Sequence, residues 1–454
     1  MRIIIEGAGE VGSHLAKLLS HVGGDITVID CDEERISKLS ATADVATVTG
    51  EISSIETLKG AGVGKADLFI AVNPRGDQSI NIVSALIAKK LGAKRVTARI
   101  NDEDYLKSEN RLMFKDLGID LLFYPEKIAS EEIIDLLKHT ATTDSMDFAR
   151  GKLQLAVFKL DEDSPLLDLK VAEFTAKVAT ISEDAQFRIV AIARHDETII
   201  PKFDTRFKTG DHIYIIARKE AIVHLLKFIG KNNIEVSRVM VLGGGKIGEM
   251  VAAKLSSQVD EVKVIDMDRQ RCLELSEKLP DNVSVACGDG RNSDFLLEES
   301  IKDYDAFVAV TGNDEINILS CVVAKKFGLE RVIAEVENIE YLRLAEDMGV
   351  DAVINKKLIT AGRVFRFTLS DKVRFVKYMS GTDAEVLEYT AAPGSEITKA
   401  PLKETDFPRD AIIGGVIRGS DSFIAVGDTK IEAYDRVAVF ALPDAVKDVD
   451  RMFK

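Results

Sequence analysis

Short apolar runs alternate with amphipathic stretches from the start of the chain. The run opening at Arg2 is too short for a helix and is halted by Gly7 and Gly9, after which helical spacing predicts a helix over 13–20. A second apolar run, 26–29, ends in Asp30. The same alternation continues: helix 33–41, strand 45–48 ending at Gly50, helix 54–59, strand 67–72, helix 77–91, strand 95–100, helix 104–117 and a short strand 121–123. Strand 67–72 is apolar throughout, as a strand covered on both faces must be. This order predicts an open, doubly wound parallel sheet with helices on both faces. Residues 126–138 read as a further helix and the polar stretch 140–151 as a linker. From 151 to 230 the pattern changes to short alternating strands, 153–160, 187–194 and 212–217, with turns at Ser164-Pro165 and Thr209-Gly210-Asp211. This stretch predicts a small α+β unit.

The whole arrangement occurs twice. RIIIEGAGEVG at 2–12 returns as RVMVLGGGKIG at 238–248, and Gly7 and Gly243, Gly9 and Gly245, Gly12 and Gly248, and Asp30 and Asp266 share an offset of 236. Strands 262–265, 283–287, 305–310, 331–336 and 352–355 and helix 315–327 repeat the first half. Helix 357–368 and the segment to Gly381 lead to a last unit over 384–453. Arg194 and Arg418, like Asp211 and Asp435, share an offset of 224, so the small unit is duplicated too. A period this long means duplicated domains. Four are expected: 1–140 and 235–370 of the larger kind, 150–230 and 380–454 of the smaller. The apolar stripes Ile133, Ile134, Leu136, Leu137 and Ile359, Val364, Phe365, Phe367 serve either contact between domains or packing on their own sheets.

Strand, glycines, helix and an acidic strand end, in that order, are the signature of a Rossmann-type nucleotide site. Gly7 permits the tight turn, Gly9 leaves room for a pyrophosphate and Gly12 lets helix and strand pack closely. The loop Gly7, Ala8, Gly9, Glu10, Val11, Gly12 then offers bare amides at a helix start to phosphate. Asp30 is placed to accept from ribose hydroxyls, and Asn73-Pro74 turns the chain out beside the loop, with Arg99 at the end of the fifth strand. The second set is Gly243, Gly244, Gly245, Lys246, Ile247, Gly248 and Asp266, with Asp289, Thr311 and Glu335 at the neighbouring strand ends. Asp30 and Asp266 stand where a 2′-phosphate would go, which excludes NADP and leaves NAD, NADH, ATP and ADP. Lys246 favours the more anionic ATP or ADP at the second site and Glu10 favours NAD or NADH at the first, unless both side chains point to solvent. Arg99 against Glu335 repeats this asymmetry: the arginine reaches either a phosphate or a salt-bridge partner.

Composition narrows the function. A formal charge of −15 disfavours nucleic acid or an anionic membrane as partner. Four scattered cysteines and six histidines form no metal motif, and no apolar run approaches the length of a membrane span. Met1-Arg2-Ile3 leads straight into a strand, so a cytoplasmic protein without a signal peptide is expected. An NAD-dependent oxidoreductase with two such domains is the rival class. It requires an acid or base at the nicotinamide, for which His14, His21, Tyr105 and Tyr341 are poorly placed. Neither loop has the G-x-x-x-x-G-K-[ST] form of ATP hydrolases.

GAGEVG with Asp30, GGGKIG with Asp266, TARI at 97–100, IVAIAR at 189–194, IIP at 199–201 and TGD at 209–211 together resemble the peripheral regulators of Trk-type potassium uptake systems, built from tandem RCK (KTN) domains. The likeness covers essentially the whole chain. In the last unit GGVIR at 414–418 persists, while Tyr434-Asp435 stands where Gly210-Asp211 did. The resemblance implies a non-enzymatic regulatory subunit that binds NAD(H) or ATP/ADP and gates a membrane potassium transporter of the Trk/Ktr type. It also implies a homotetramer whose eight domains form a ring on the inner face of the membrane.

Overall fold

The computed structural model describes residues 1–21, 25–73, 78–148, 152–179, 186–195, 197–230, 234–365, 373–378 and 384–454. The chain divides into two compact units, 1–128 with 356–370, and 129–355 with 371–454.

The first unit is built on six parallel strands: β1 (Arg2–Glu6), β2 (Asp25–Asp30), β3 (Ala46–Thr49), β4 (Leu68–Ala71), β5 (Arg95–Arg99) and β6 (Leu121–Phe123), ordered β3-β2-β1-β4-β5-β6. Every residue of β4 is buried, as its unbroken apolar sequence requires. The stretch expected as one helix over 104–117 is a 3-10 turn, Glu103–Leu106, and a helix, Ser108–Asp116. They part at Lys107, whose ψ of 144° is not helical. Helix Lys356–Phe365, from the far end of the sequence, also belongs to this unit. It packs along helix Glu10–His21, and Lys357 Nζ reaches Glu10 Oε2 at 3.0 Å. The helix that carries the second apolar stripe thus lies with the first domain; Phe367 lies outside the described residues.

In the second unit, β7 (Asp144–Phe148), β8 (Leu153–Lys159), β9 (Phe187–Arg194), β10 (Glu197–Ile199) and β11 (His212–Ala217) form an antiparallel sheet ordered β10-β9-β11-β8-β7. A second parallel sheet follows, β12 (Arg238–Leu242), β13 (Glu261–Asp266), β14 (Val283–Cys287), β15 (Ala306–Ala309), β16 (Arg331–Glu335) and β17 (Ala352–Ile354), in the order β14-β13-β12-β15-β16-β17. The last sheet is antiparallel: β18 (Val373–Tyr378), β19 (Glu385–Thr390), β20 (Ala411–Arg418), β21 (Asp421–Ile424) and β22 (Arg436–Ala441), ordered β18-β19-β22-β20-β21. β7 and β18 lie where the sequence pattern gave only connecting segments. Both are edge strands, and edge strands need no continuous apolar face.

The two antiparallel sheets share one core. Leu153, Leu155, Val157 and Tyr214 from the first pack with Val386, Ile417 and Phe440 from the second, and the Tyr214 and Phe440 rings lie 5.6 Å apart. Gly414 permits the close approach, since a Cβ there would meet Ile216 Cδ1 at 2.2 Å. Arg194 grips Asp211 through Nε and an NH2 group at 2.8 Å each, and Arg418 grips Asp435 in the same way at 3.0 and 2.7 Å. Both aspartates are buried, and bidentate pairs of this kind fix geometry as well as charge. Asp211→Asn leaves Arg194 without its charge partner and is expected to lower stability by about 3 kcal/mol, read as a lower urea midpoint; an unchanged midpoint contradicts this role.

Candidate nucleotide-binding sites

Strand order reverses beside β1 and beside β12, and open parallel sheets form their ligand crevices at such reversals. At the first, Gly7 adopts a φ of +107° and donates its N–H to Ile29 O at 2.8 Å. A Cβ on Gly7 would lie 2.9 Å from the Asn73 backbone, and one on Gly12 would lie 1.8 Å from Gly7 O. The second loop repeats this, with Gly243 at +107° and a Gly248 Cβ position 1.9 Å from Gly243 O. Only glycine fits these four positions. A Cβ on Gly245 would meet nothing within 4 Å, so space for a ligand atom lies beside it. Gly9 is buried where Gly245 is exposed. Val11 and Ile247 point into the core and offer only their backbone.

The acidic strand ends shape the loops. Asp30, 3% exposed, accepts from Ala8 N–H at 2.6 Å through Oδ2 and from Asp32 N–H at 2.9 Å through Oδ1. Asp266 accepts from Gly244 N–H at 2.6 Å and Asp268 N–H at 2.8 Å. Each carboxylate oxygen keeps a second lone pair, so holding the loop does not use up its capacity to accept from a hydroxyl.

Some groups at the crevices were not singled out from sequence. Asn81 Oδ1 accepts from Asn73 N–H at 3.0 Å, and its Nδ2 donates to Asn73 O and Arg99 O at 3.1 Å each. Asn317 binds the Thr311 backbone and Glu335 O in the same way. Each asparagine ties the ends of two neighbouring strands together beneath a crevice. Arg271 donates Nε to Gly244 O at 2.7 Å and an NH2 group to Glu249 at 2.5 Å, and Arg35 is its counterpart in the first half. Asp32 and Asp268 cap the helices that carry these arginines. Recurrence of Asn81, Asp32 and Arg35 at the offset of 236 is the signal that would have found them.

The flanking charges reverse sign between the copies: Glu10 against Lys246 and Arg99 against Glu335 at the offset of 236, and, second in the helix after each sixth strand, Glu126 against Lys357. Arg99 is paired with Glu126 at 3.1 Å and Glu10 with Lys357, so neither Arg99 nor Glu10 stands alone at the first crevice. Lys246 is exposed at its helix start, and Glu335 is buried. Asp289 is held by Arg291 at 2.7 Å, and that guanidinium lowers its carboxyl to about 2. The Thr311 hydroxyl donates to Asn317 Oδ1 at 2.6 Å. Pro74 lies outside the described residues. His14 and His21 are both on helix Glu10–His21, and the Tyr105 ring stacks on Phe114 at 5.3 Å, a packing role. Among the described residues no group of acids, histidines and cysteines could hold a metal ion, and no helix is long and apolar enough to cross a membrane.

Duplicated parallel sheets with glycine crevices, each followed by a small antiparallel sheet, define a tandem protein of the dinucleotide-binding fold. The TrkA-N domain model matches residues 3–125 and 239–356, and the TrkA-C domain model matches 155–230 and 386–454. The chain belongs to the TrkA family. It is 32% identical over the full length of both chains to "Trk system potassium uptake protein TrkA homolog 1" of Methanosarcina mazei. It is 33% identical, again over both full lengths, to the "Trk system potassium uptake protein TrkA homolog" of Archaeoglobus fulgidus. In fold it is similar to the "GsuK channel bound to NAD" (TM-score 0.61, 17% identity, all of this chain and 78% of that one). It is also similar to the GsuK structure bound to ADP (TM-score 0.51, 15% identity, 80% of this chain and 68% of that one).

Asn317→Ala removes the tie between the ends of β15 and β16 and is expected to cost about 2 kcal/mol in chemical denaturation, because buried backbone groups lose their partners. A loss under about 0.5 kcal/mol refutes the tie. Burial, with the positive charges of Lys17 and Lys357, pushes His14 down from 6.5 to about 4. The unfolded chain then binds more protons in that window, so His14's contribution is complete above the upper value and lost as pH falls toward the lower. His14→Met, matching Met250 in the second half, is expected to flatten the acid limb of stability against pH by about 2 kcal/mol; an unaltered limb argues otherwise.

Proposed function

We propose that this chain is the nucleotide-sensing subunit of a membrane potassium uptake system, with one adenine nucleotide site on each glycine loop. The reading rests on one observation above others: two loops of the same geometry, each held open by an aspartate that retains acceptor capacity for a ribose. The residues present fit such a ligand. Loop amides and the first turns of helices Glu10–His21 and Lys246–Leu255 hold phosphates, and Asp30 and Asp266 hold ribose hydroxyls and repel a 2′-phosphate. NAD or NADH suits the first site, and ATP or ADP suits the second, where Lys246 is exposed at the helix start.

No step of bond making is assigned to the chain. Its output is mechanical: helix Lys356–Phe365 rests on helix Glu10–His21, and Lys357 reaches the first turn of that helix, so a phosphate bound there acts directly on the contact. In this reading the domains are 1–140, 150–230, 235–370 and 380–454. Four chains supply an eight-domain ring on the cytoplasmic face of a potassium transporter, and the ring transmits the movement to its gate.

Calorimetry of the full chain with NAD, NADH, ATP and ADP tests the sites. Gly9→Asp is expected to weaken binding at the first loop, and Gly245→Asp at the second, each by at least about tenfold while sparing the other, because a carboxylate then faces the phosphates. Wild-type affinity in both variants refutes the assignment.

A further inference from the structure

Glu6 is the last residue of β1 and the last before the first glycine loop. Its side chain is 0% exposed, and neither carboxylate oxygen has a hydrogen-bond partner. Native proteins rarely leave a buried polar group in this state, and those that do call for an explanation. Pairing in the sheet sets Glu6 beside Ile29 and Ala71. The Ser84 hydroxyl on helix Gln78–Leu91 is directed to Ile80 O at 2.8 Å. The charged groups that act on Glu6 are Asp30, at the end of β2, and Glu51, just beyond β3; both are acidic. Burial above all holds the Glu6 carboxyl well above its ordinary range; the nearby Ser84 hydroxyl opposes this, and the two carboxylates add to it. In the second half the same position is Leu242, an ordinary member of an apolar core.

We propose that Glu6 makes the first nucleotide site proton-linked: its carboxyl must be neutral for the loop to hold a phosphate, so binding there takes up a proton and weakens as pH rises, while binding at the second loop does not. This rests on the nucleotide reading of the loops. The coupling runs through Asp30, whose Oδ2 holds Ala8 N–H at 2.6 Å. Ionised Glu6 repels Asp30 from within the apolar layer and adds negative charge beneath the phosphate position, where little water screens it. By reciprocity, a bound phosphate makes Glu6 harder to ionise. In the free protein the sign is that of a raised acid. The group's contribution to stability is complete below its unfolded value and is lost as pH rises through the folded one, because the native state there binds more protons.

The test uses the full chain carrying Gly245→Asp, which silences the second loop, titrated with NAD from about pH 6 to about pH 9 in buffers of different ionisation enthalpy. Affinity is expected to fall with pH, by up to about tenfold per pH unit at the steepest, with uptake approaching one proton. Glu6→Gln and Glu6→Leu in the same background are expected to abolish both the slope and the uptake. A Glu6→Gln chain that keeps the parent's slope overturns the proposal and leaves the nucleotide sites standing. Absence of NAD binding at every pH in the chain with both loops intact overturns the two together. Without ligand, the stability advantage of Glu6→Leu over wild type is expected to widen as pH rises; an advantage that stays constant also overturns it.

Discussion

Two hydrogen bonds of the same length, Asp30 to Ala8 N–H and Asp266 to Gly244 N–H at 2.6 Å each, hold the arrangement on which everything else depends. A glycine loop has no side chains to fix its course, and its amides have alternatives in water. Tying the second residue of the loop to the end of the adjacent strand selects one course. The remaining amides then face the crevice together with the positive end of the following helix. Backbone crowding at Gly12 and Gly248 completes the constraint, because strand, loop and helix meet at distances that leave no room for a Cβ.

The two halves share this frame and differ in what surrounds it. Glu10 is paired with Lys357, a residue of the other repeat, and Gly9 is buried, whereas Lys246 and Gly245 are exposed. Beneath the loop, a buried carboxyl in the first half corresponds to a leucine in the second. Duplication thus kept the loop geometry and changed the electrostatics around it. That is what two sites tuned to different ligands or conditions require.

Much of the fold was legible in the sequence because its strands are short, apolar and punctuated by glycine. Periodicity and the offset of 236 expose both parallel sheets and their crevices, and the offset of 224 exposes the second small unit, though not the ion pairs of Arg194 with Asp211 and Arg418 with Asp435 inside the two copies. What escaped notice has physical reasons. β7 is an edge strand of mixed polarity, so it imitates a linker. Helix Lys356–Phe365 advertises an apolar stripe, but a stripe carries no address, and its resting place on helix Glu10–His21 follows only from three dimensions. Asn81 and Asn317 sit inside helices, where a lone asparagine is unremarkable until its amide is seen bridging two strand ends. Glu6 was absorbed into an apolar run because its neighbours are isoleucines.

If both crevices take an adenine nucleotide through their loop amides, the backbone of each loop must respond to it. Amide hydrogen exchange, read by mass spectrometry with and without saturating NAD and ATP, tests this at the backbone itself. Slower exchange is expected in the segments over 7–13 and 243–249, spreading to 356–365 when the first loop is filled. Exchange at both loops that is unchanged by every adenine nucleotide tried contradicts the claim.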